Sequence, residues 1–346
     1  MSDCEIARGE YKGQEAIVLE NHSLRALILP GWGSKLASLY CRDKDYELLW
    51  QNPASEFRPT AYADPFENGE AAGFDEMFPT ITRCLYEREP WTGVEMPDHG
   101  EVWSVPWRCT LTADSVELEV DGVRFAYTLG KRVRLDGDTL HIEYTLENRS
   151  KSELDFIWAA HPLFNTVEGM RMLVPADLDR IINSVPSRRL GGYGRMHRFP
   201  FARLGPDADI RPGAPGESDT PTAPRATFGH GFDLSTIPAK GSSDFQKYWF
   251  AEKLRQGWCI LHDPRRMLNI GLAWPAETVA YLGIWVNEGG WFGQYNVAPE
   301  PATAAMDRVD ASKMWNAAST LSAGERRQWW LTITVRPGEE PREGPL

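Results

Sequence analysis

The chain has 346 residues, with 37 lysines and arginines against 49 aspartates and glutamates, so its formal net charge is −12. Nucleic acids and anionic membrane surfaces bind proteins through basic faces, and this acidic excess argues against both partners. Hydrophobic residues make up 42% of the chain and charged residues 25%, as expected for an ordinary folded protein with ample core.

The N-terminus shows no basic region followed by an apolar run, and no apolar segment approaches the roughly 20 residues of a membrane helix. The five cysteines are odd in number, widely scattered and free of Cys-x-x-Cys pairs. This usage is typical of reduced thiols and not of a disulfide framework or a zinc site. The sequence therefore predicts a cytoplasmic protein that does not bind a membrane.

Two-residue alternation of apolar and polar residues recurs along the chain. In residues 139–147, Leu140, Ile142, Tyr144 and Leu146 alternate with polar residues, which predicts a strand with one buried face. Similar patterns predict strands over residues 16–19, 23–29, 35–40, 116–120, 124–129, 154–160, 257–261, 267–273, 278–286 and 329–335. Asp121-Gly122 predicts a tight hairpin, because glycine tolerates a positive φ. Many antiparallel strands with tight turns indicate a sandwich or a barrel.

Helical patterns are few, and only residues 70–77 and 311–319 are candidates. Residues 204–232 are rich in proline, glycine, aspartate and serine. This segment is either a linker between two domains or a long excursion from one β domain. Strand patterns of the same kind on both sides favour the excursion, so we expect a single domain over residues 1–346.

Two of the seven histidines stand out by their context, and none has the His-x-His or His-x-x-x-His spacing of a metal site. His99 lies in a Pro-Asp-His-Gly turn, where glycine lets the backbone approach a ligand closely. His161 follows an apolar strand and precedes Pro162, which ends that strand. A histidine held at a strand end suits general acid or base chemistry, and a buried structural histidine is the alternative.

One carboxylate, Glu300, lies between Pro299 and Pro301. The prolines stiffen its backbone and favour a position outside any regular ladder, so the residue is either a solvated loop charge or a preorganised base. No nucleotide-binding glycine loop and no nucleophile elbow is present. Two histidines and one carboxylate are sufficient for proton shuttling without a metal or another cofactor.

Fourteen tryptophans are a high number for one chain. Five of them lie near Gly, Pro, His or Asn in turn-like contexts, where an aromatic face suits the C–H face of a sugar ring. Burial in the core is nevertheless the commoner role of any single tryptophan. The five are Trp91, Trp103, Trp107, Trp285 and Trp291.

Five short segments follow one another along most of the chain: residues 29–39, residues 73–80 with Arg83, His99-Gly100, residues 158–165, and residues 299–301. Their order resembles that of the aldose 1-epimerase (galactose mutarotase-like) family. The resemblance implies an all-β, galactose mutarotase-like β-supersandwich of mostly antiparallel strands. It further implies a cofactor-independent isomerase that interconverts the α and β anomers of a monosaccharide.

The resemblance also implies roles for single residues. Glu300 would take the proton of the anomeric hydroxyl, His161 would protonate the ring oxygen, and His99 would bind or polarise the same oxygens. Reference pKa values of about 4.3 and 6.5 let an ionised base and a partly protonated acid coexist at neutral pH. The expected substrate-binding residues are Arg83, Asp233, Trp285 and Asn165, with Asp233 standing for an aspartate that relatives carry between the second histidine and the glutamate.

The chain departs from the family pattern at two places. Glu101 follows His99-Gly100 where many relatives have an aromatic residue, and Ala302 follows Glu300-Pro301 where many have glutamine. These departures leave the sugar open, including an acidic or modified one. Arg83, Arg171 and Lys35 could bind an anion or be plain surface charges.

Two other functional interpretations remain open on the same sequence. One is a non-catalytic or regulatory sugar-binding protein with this fold. The other is a different carbohydrate enzyme, such as a lyase or a metal-dependent isomerase, because related sandwich folds host varied sugar chemistry.

Overall fold

The computed structural model describes residues 4–202, 231–241, 243–342 and 344–346. Within these ranges the chain is almost entirely β-structure. It has one short α-helix, α1 (Val309–Met314), and single-turn 3-10 helices at Arg42–Lys44, Phe66–Asn68 and Val102–Ser104. None of the described helices is long and apolar enough to cross a membrane. The prediction of an all-β chain is confirmed.

The strands of the first half are β1 (Glu5–Tyr11), β2 (Gln14–Glu20), β3 (Leu24–Leu29), β4 (Lys35–Cys41), β5 (Tyr46–Glu47), β6 (Phe74–Met77), β7 (Cys84–Leu85), β8 (Glu95–Met96), β9 (Arg108–Leu111), β10 (Val116–Asp121), β11 (Tyr127–Asp136), β12 (Thr139–Asn148), β13 (Leu154–Phe156), β14 (Ala159–Pro162), β15 (Phe164–Asn165) and β16 (Arg171–Leu173). Those of the second half are β17 (Arg180–Asn183), β18 (Met196–Arg198), β19 (Phe201–Ala202), β20 (Phe232–Asp233), β21 (Phe245–Phe250), β22 (Gly257–Asp263), β23 (Leu268–Trp274), β24 (Tyr281–Glu288), β25 (Tyr295–Ala302), β26 (Ser319–Leu321) and β27 (Arg326–Pro337).

Most of the described strands belong to two large antiparallel sheets. The first sheet has the spatial order β1-β2-β3-β4-β6-β14-β25-β24-β21-β17-β18, with β5 added beside β4 and β15 beside β25. The second has the order β16-β22-β23-β27-β12-β11-β10-β9. Small two-stranded sheets are formed by β7 with β8, β13 with β26, and β19 with β20. Side chains of both large sheets meet in one hydrophobic core, which makes the fold a sandwich.

The predicted alternation is clearest in the second sheet. Ile142 on β12 lies opposite Leu331 on β27, and both are buried. The residues between the buried ones on β12 are exposed or half-buried, as a strand with one solvent-facing side requires. The strand predictions in this sheet are therefore confirmed, except that the strand predicted over residues 124–129 begins at Tyr127 and continues to Asp136. The register explains why the apolar positions of neighbouring strands coincide.

The helix predicted over residues 70–77 is wrong. Residues Phe74–Met77 form β6, a central strand of the first sheet that pairs with β14. All four residues are buried, and a strand buried on both faces shows no two-residue alternation that a sequence could reveal. The helix predicted over residues 311–319 corresponds to the shorter α1, which begins at Val309 and ends at Met314, and β26 begins at Ser319.

The hairpin predicted at Asp121-Gly122 joins β10 and β11, but its turn is longer than expected. The last paired residues are Asp121 and Thr128, so the turn is not the predicted two-residue one. Gly122 does not adopt a positive φ. A Cβ atom there would lie 2.1 Å from the carbonyl oxygen of Phe125, so this position needs glycine for space.

The structure does not describe residues 203–230. Nearly all of the predicted excursion over residues 204–232 therefore lies outside the described residues. Strands on the two sides of this segment share one sheet, since β17 pairs with β21. At its two ends, β19 pairs with β20. The single domain over residues 1–346 stays a prediction.

The two faces of the first sheet differ in what they contact. Glu76 on β6 points toward the second sheet, where it meets Lys131 on β11 and Tyr144 on β12. Because side chains alternate along a strand, Asp75 and Met77 point to the opposite face. That opposite face of the central strands carries the candidate site.

Candidate active site

A cavity of about 210 Å³ opens on this outer face of the first sheet. Neighbouring strands supply its floor, with one side chain each from β14, β25, β24 and β21. Loops between strands supply its walls. The floor residues are His161, Glu300, Trp285 and Lys247, and the wall residues that matter below are Phe66, Asp98, His99, Trp291 and Asp307.

Glu300 lies inside a regular strand, so the predicted position outside any ladder is wrong. On one side β25 pairs with β24 along its whole length, with Glu300 opposite Gly283. On the other side the described pairing stops between Val297 and Ala302, where Pro299 and Pro301 have no N–H to donate. The prolines therefore open the ladder between β25 and β14 at the point where Glu300 and His161 approach each other.

Glu300 is fully buried, and a lysine holds one of its two oxygens. Lys247 on β21 donates a short hydrogen bond to Oε2, and its Nζ lies 3.9 Å from Oδ1 of Asp307. Burial raises the pKa of Glu300 above its ordinary value, while the Lys247 ammonium works to lower it. No described residue donates a hydrogen bond to Oε1, so this oxygen is open toward the cavity.

His161 faces that open oxygen. Its Nε2 lies 3.9 Å from Oε1 of Glu300, which is too long for a hydrogen bond. Burial, with the charges of His99, Lys247 and Lys35 in support, lowers the pKa of His161 well below its ordinary value. The imidazole is therefore neutral at neutral pH, contrary to the expectation of a partly protonated acid.

The surroundings of the two ring nitrogens of His161 favour a proton on Nε2. Nδ1 is buried and has no hydrogen-bond partner among the described residues, whereas Nε2 faces Glu300 and the cavity. Because a buried N–H without an acceptor is unfavourable, we infer that Nδ1 is the unprotonated nitrogen. This tautomer directs the N–H of Nε2 toward Glu300 and the cavity.

His99 is held in place by its own turn. Its φ is +56°, and the following Gly100 has φ +76°. A Cβ atom on Gly100 would lie 2.0 Å from the carbonyl oxygen of Phe78, so the close approach predicted for this glycine is to the protein's own backbone. Nδ1 of His99 lies 3.2 Å from Oδ2 of Asp98, and that oxygen also accepts a hydrogen bond from the backbone N–H of Phe66.

Aromatic rings line the wall above the two histidines. The Phe66 ring stacks on His99 with centroids 4.1 Å apart, and it meets His161 edge-on at 5.3 Å. Trp285 and Trp291 lie perpendicular to each other, with centroids 6.0 Å apart. Flat apolar surfaces beside convergent polar groups are typical of small-molecule sites.

Solved structures with the same architecture exist, although no family model and no curated protein matches the chain. A galactose mutarotase-like protein from Clostridium acetobutylicum aligns with 97% of this chain and 99% of its own, at 15% identity and a TM-score of 0.62. A galactose mutarotase related enzyme from Lactobacillus acidophilus aligns with 94% and 98%, at 16% identity and a TM-score of 0.61. The chain has the galactose mutarotase-like fold.

A further neighbour, a candidate aldose 1-epimerase from Klebsiella pneumoniae, aligns with 98% of this chain and 85% of its own, at 12% identity and a TM-score of 0.67. The predicted β-supersandwich is thereby confirmed. At such low identity the likeness establishes the architecture alone, and the chemistry depends on the residues of this chain.

The sequence-predicted site residues divide into two groups in the mutarotase-like structure. Glu300, His161, His99 and Trp285 come together around the cavity. Arg83 does not line it, since its side chain is 56% exposed and its Nε lies 3.6 Å from Oε2 of Glu95.

Asp233 and Asn165 also lie away from the described cavity lining. Asp233 accepts hydrogen bonds from Arg171 and from the turn that follows β20. Asn165 donates hydrogen bonds to the carbonyl oxygens of Glu47 and Leu49, so its side chain links β15 to the end of β5 and the residues that follow.

The cations that could have bound an acidic sugar are already paired with carboxylates. Lys35 is buried and donates to Asp75, and Arg171 lies 3.0 Å from Asp233. Of the five tryptophans in turn-like contexts, Trp103 and Trp107 are buried, whereas Trp285 and Trp291 line the cavity.

Sequence reasoning missed Lys247, Asp307 and Phe66. Lys247 lies on β21 among the aromatic residues Phe245, Tyr248 and Trp249. A lysine within such an apolar strand indicates a buried ion pair, because lysines are seldom fully buried unless they are paired. Asp307 lies in a loop and Phe66 in the 3-10 helix Phe66–Asn68, and only the folded chain shows that both reach the cavity.

A larger hollow of about 990 Å³ lies on the outer face of the second sheet, over β9 to β12 and β27. Several of its charged side chains are exposed and paired with each other, as Arg108 is with Glu119 at 2.6 Å. Both charges of such a pair stay in contact with solvent, which screens their interaction, so the pair contributes little binding energy. The smaller cavity is therefore the candidate active site.

Residues 4–202, 231–241, 243–342 and 344–346 contain no group of three or more His, Cys, Asp or Glu side chains arranged to hold a metal ion. All five cysteines lie in these ranges and are free thiols.

Proposed function

We propose that this chain is a mutarotase that interconverts the α and β anomers of a monosaccharide by opening and closing the sugar ring. The observation that carries this proposal is the buried pair of Glu300 and His161, 3.9 Å apart at the floor of a cavity with aromatic walls. Ring opening removes a proton from the anomeric hydroxyl and places negative charge on the ring oxygen. A carboxylate and a neutral imidazole N–H suit these two tasks.

In this mechanism Glu300 is the base. Its open Oε1 takes the proton of the anomeric hydroxyl, the bond between C1 and the ring oxygen breaks, and the electron pair of that bond goes to the ring oxygen. After rotation about C1–C2, the ring oxygen attacks the other face of the aldehyde. Glu300 then returns its proton to the new anomeric oxygen. The steps balance in atoms and charge without a metal or other cofactor.

His161 acts as a hydrogen-bond donor in the same mechanism. Its Nε2–H binds the ring oxygen and stabilises the negative charge that develops there when the ring opens. A neutral imidazole can do this work in a buried site, because donors aimed at a developing charge act strongly where water is excluded. A neutral donor also leaves the Glu300 carboxylate without a competing cation on its open side.

His99, Phe66, Trp285 and Trp291 would bind the sugar. The His99 ring centroid lies 5.2 Å from that of His161, so the two imidazoles can contact neighbouring oxygens of one ring. The aromatic rings offer flat surfaces to the C–H faces of a sugar. Lys35 and Lys247 are already paired with carboxylates, so the described lining suits the uncharged part of a sugar.

The test is NMR magnetisation exchange between anomers, measured with purified protein across a panel of neutral, acidic and phosphorylated monosaccharides. We expect the exchange rate of at least one sugar to rise in proportion to protein concentration, with no loss of sugar. Dialysis against a chelator should leave that rate unchanged.

Each alternative has its own outcome in the same experiment. A non-catalytic sugar-binding protein would shift or broaden sugar signals without exchange. A lyase would yield an unsaturated product that absorbs in the ultraviolet, and a metal-dependent isomerase would lose activity after chelation. Any of these results would replace the mutarotase proposal.

A further inference from the structure

Of the four residues on the cavity floor, Lys247 is the one that makes no contact with the sugar in the proposed mechanism. It is 5% exposed, and it lies against Glu300 on one side and the Trp249 ring on another, 5.3 Å from the ring centroid. Gly283 is the cross-strand neighbour of both Glu300 and Trp249. A Cβ atom at Gly283 would lie 3.1 Å from the Trp249 ring, so the absence of a side chain there makes room for the ring that packs against the lysine.

The donors of Lys247 are not all used. An ammonium has three N–H groups, and Lys247 directs one of them to Oε2 of Glu300. Asp307 Oδ1 is 3.9 Å away, beyond hydrogen-bond length. Lys131, which is equally buried, uses its donors on both oxygens of Glu76 and on the carbonyl oxygen of Ser34. Lys247 therefore has a donor to spare at the cavity, and Lys131 does not.

The charged and titratable groups that face Glu300 come from four elements. Lys247 on β21 contacts it directly, and His161 on β14 faces its open oxygen. The carboxylate of Asp307, in the loop after β25, and the ring of His99, in the loop after β8, act on it from further away. Since burial disfavours a lone carboxylate and Asp307 adds a like charge, Lys247 is the contact that keeps Glu300 ionised.

We propose that Lys247 has two roles in the reaction: its ammonium holds Glu300 in the charged state and orientation of a base, and its free N–H binds the oxygen substituent next to the anomeric carbon. This inference rests on the proposed function, in which Oε1 meets the anomeric hydroxyl. Lys247 Nζ lies at the other oxygen of the same carboxylate; with the anomeric hydroxyl at Oε1 and the ring oxygen at His161, the proposal puts the substituent at C2 of the sugar beside this lysine. The site then selects sugars that carry a hydrogen-bond acceptor at C2.

The first role is tested by Lys247→Met, with Lys131→Met as the matched control outside the cavity. We expect the acid limb of kcat/KM for anomer exchange to move up by about one pH unit or more in Lys247→Met, because Glu300 loses the charge that opposes its protonation. Lys247→Arg keeps the charge and should keep the limb in its wild-type position. Lys131→Met should lose thermal stability and leave the limb unmoved.

The second role is tested by comparing the best substrate with its 2-deoxy derivative. In the wild-type protein the missing oxygen should lower kcat/KM by about 10-fold or more, the scale of a hydrogen bond to a charged group. In Lys247→Met the same change should cost less than about 2-fold, because the donor is already gone. The wild-type arm needs no variant, so an unchanged kcat/KM for the 2-deoxy sugar overturns the second role even where Lys247→Met does not fold.

Two results would overturn the inference while leaving the mutarotase proposal intact. One is a folded Lys247→Met protein with the wild-type acid limb, and the other is a wild-type protein that exchanges the 2-deoxy sugar as fast as its parent. Absence of exchange for every sugar in the wild-type protein would instead remove the proposed function itself, so the two failures are distinguishable.

Discussion

Two buried lysine–carboxylate pairs lie on opposite faces of the first sheet, and they differ in how completely their atoms are used. Lys131 and Glu76, on the face toward the second sheet, are saturated: the lysine contacts both carboxylate oxygens, and Tyr144 donates a further hydrogen bond at 3.0 Å. Lys247 and Glu300, on the outer face, leave one carboxylate oxygen and two of the three lysine N–H groups without a hydrogen-bond partner beside a cavity.

The difference separates a structural pair from a chemical one. In both pairs burial raises the pKa of the carboxyl group and the lysine opposes that change. A perturbed acidity alone therefore does not mark the site. The distinguishing feature of the site is a hydrogen-bond donor and an acceptor without partners beside a cavity. Buried polar atoms are normally hydrogen-bonded, so an unpaired one indicates that a ligand binds there.

The largest effect on stability should come from the saturated pair. Glu76→Gln leaves the Lys131 ammonium buried without its counter-charge, a change that costs about 3–5 kcal/mol of unfolding free energy. Glu300→Gln should cost less, because Lys247 keeps Asp307 nearby and has access to the cavity. Urea unfolding of the two variants checks the order. Equal losses in both would show that the two pairs do the same structural work.

The pH dependence of exchange should reflect Glu300. The base must be ionised, and burial raises its pKa above 4.5, so the rate should fall about tenfold per pH unit below a limb that lies above pH 4.5. His161 is neutral because its pKa lies well below 6.5, so its ionisation should add no alkaline limb near that value. A profile of kcat/KM against pH decides this. A bell-shaped profile of kcat/KM with an alkaline limb near pH 6.5 would instead show that a protonated histidine acts as the acid.

His161→Asn should slow exchange by roughly 10-fold, because asparagine keeps a donor N–H but not the reach of Nε2. The effect is smaller than that of losing the base, since water can supply part of the hydrogen bonding to the ring oxygen. Exchange rates at saturating sugar measure it, with circular dichroism to verify folding. A variant with the wild-type rate would remove His161 from the mechanism.

Arg83→Ala should have the smallest effect, within about 2-fold of the wild-type rate. The side chain is half exposed and its partner is Glu95, so its removal breaks a surface ion pair that contributes little. The resemblance to mutarotases placed Arg83 at the sugar, whereas the cavity geometry does not, and the exchange rate of this variant separates the two. A loss of tenfold or more would return Arg83 to the site.

Much of the fold could be predicted from the sequence, because one-sided strands such as β12 carry a visible two-residue period. The central strand β6 could not be predicted in this way, because it is buried on both faces and its sequence shows no two-residue period. The position of Glu300 within a ladder also escaped prediction. Its flanking prolines do open the ladder, but on one side of the strand only.

The two histidines and Glu300 could be singled out from short motifs, although only the histidine motifs correspond to a turn and a strand end, and Glu300 lies within β25. Lys247 could not, as its role depends on β21 lying beside β24 and on β24 lying beside β25, which brings the lysine to Glu300. The neutral state of His161 was also beyond the sequence, since it follows from burial and from charges that come from three other segments. Long-range packing, not local pattern, sets these properties.

The most direct test of the central claim is the anomer-exchange rate of Glu300→Gln, measured beside wild type and Glu76→Gln on the best substrate and below the unfolding temperature of all three. Glutamine keeps the shape of the side chain and removes the base, so exchange should fall by roughly 10² or more while sugar affinity stays within a few-fold. Glu76→Gln should exchange at the wild-type rate. A folded Glu300→Gln protein that exchanges anomers as fast as wild type would contradict the account.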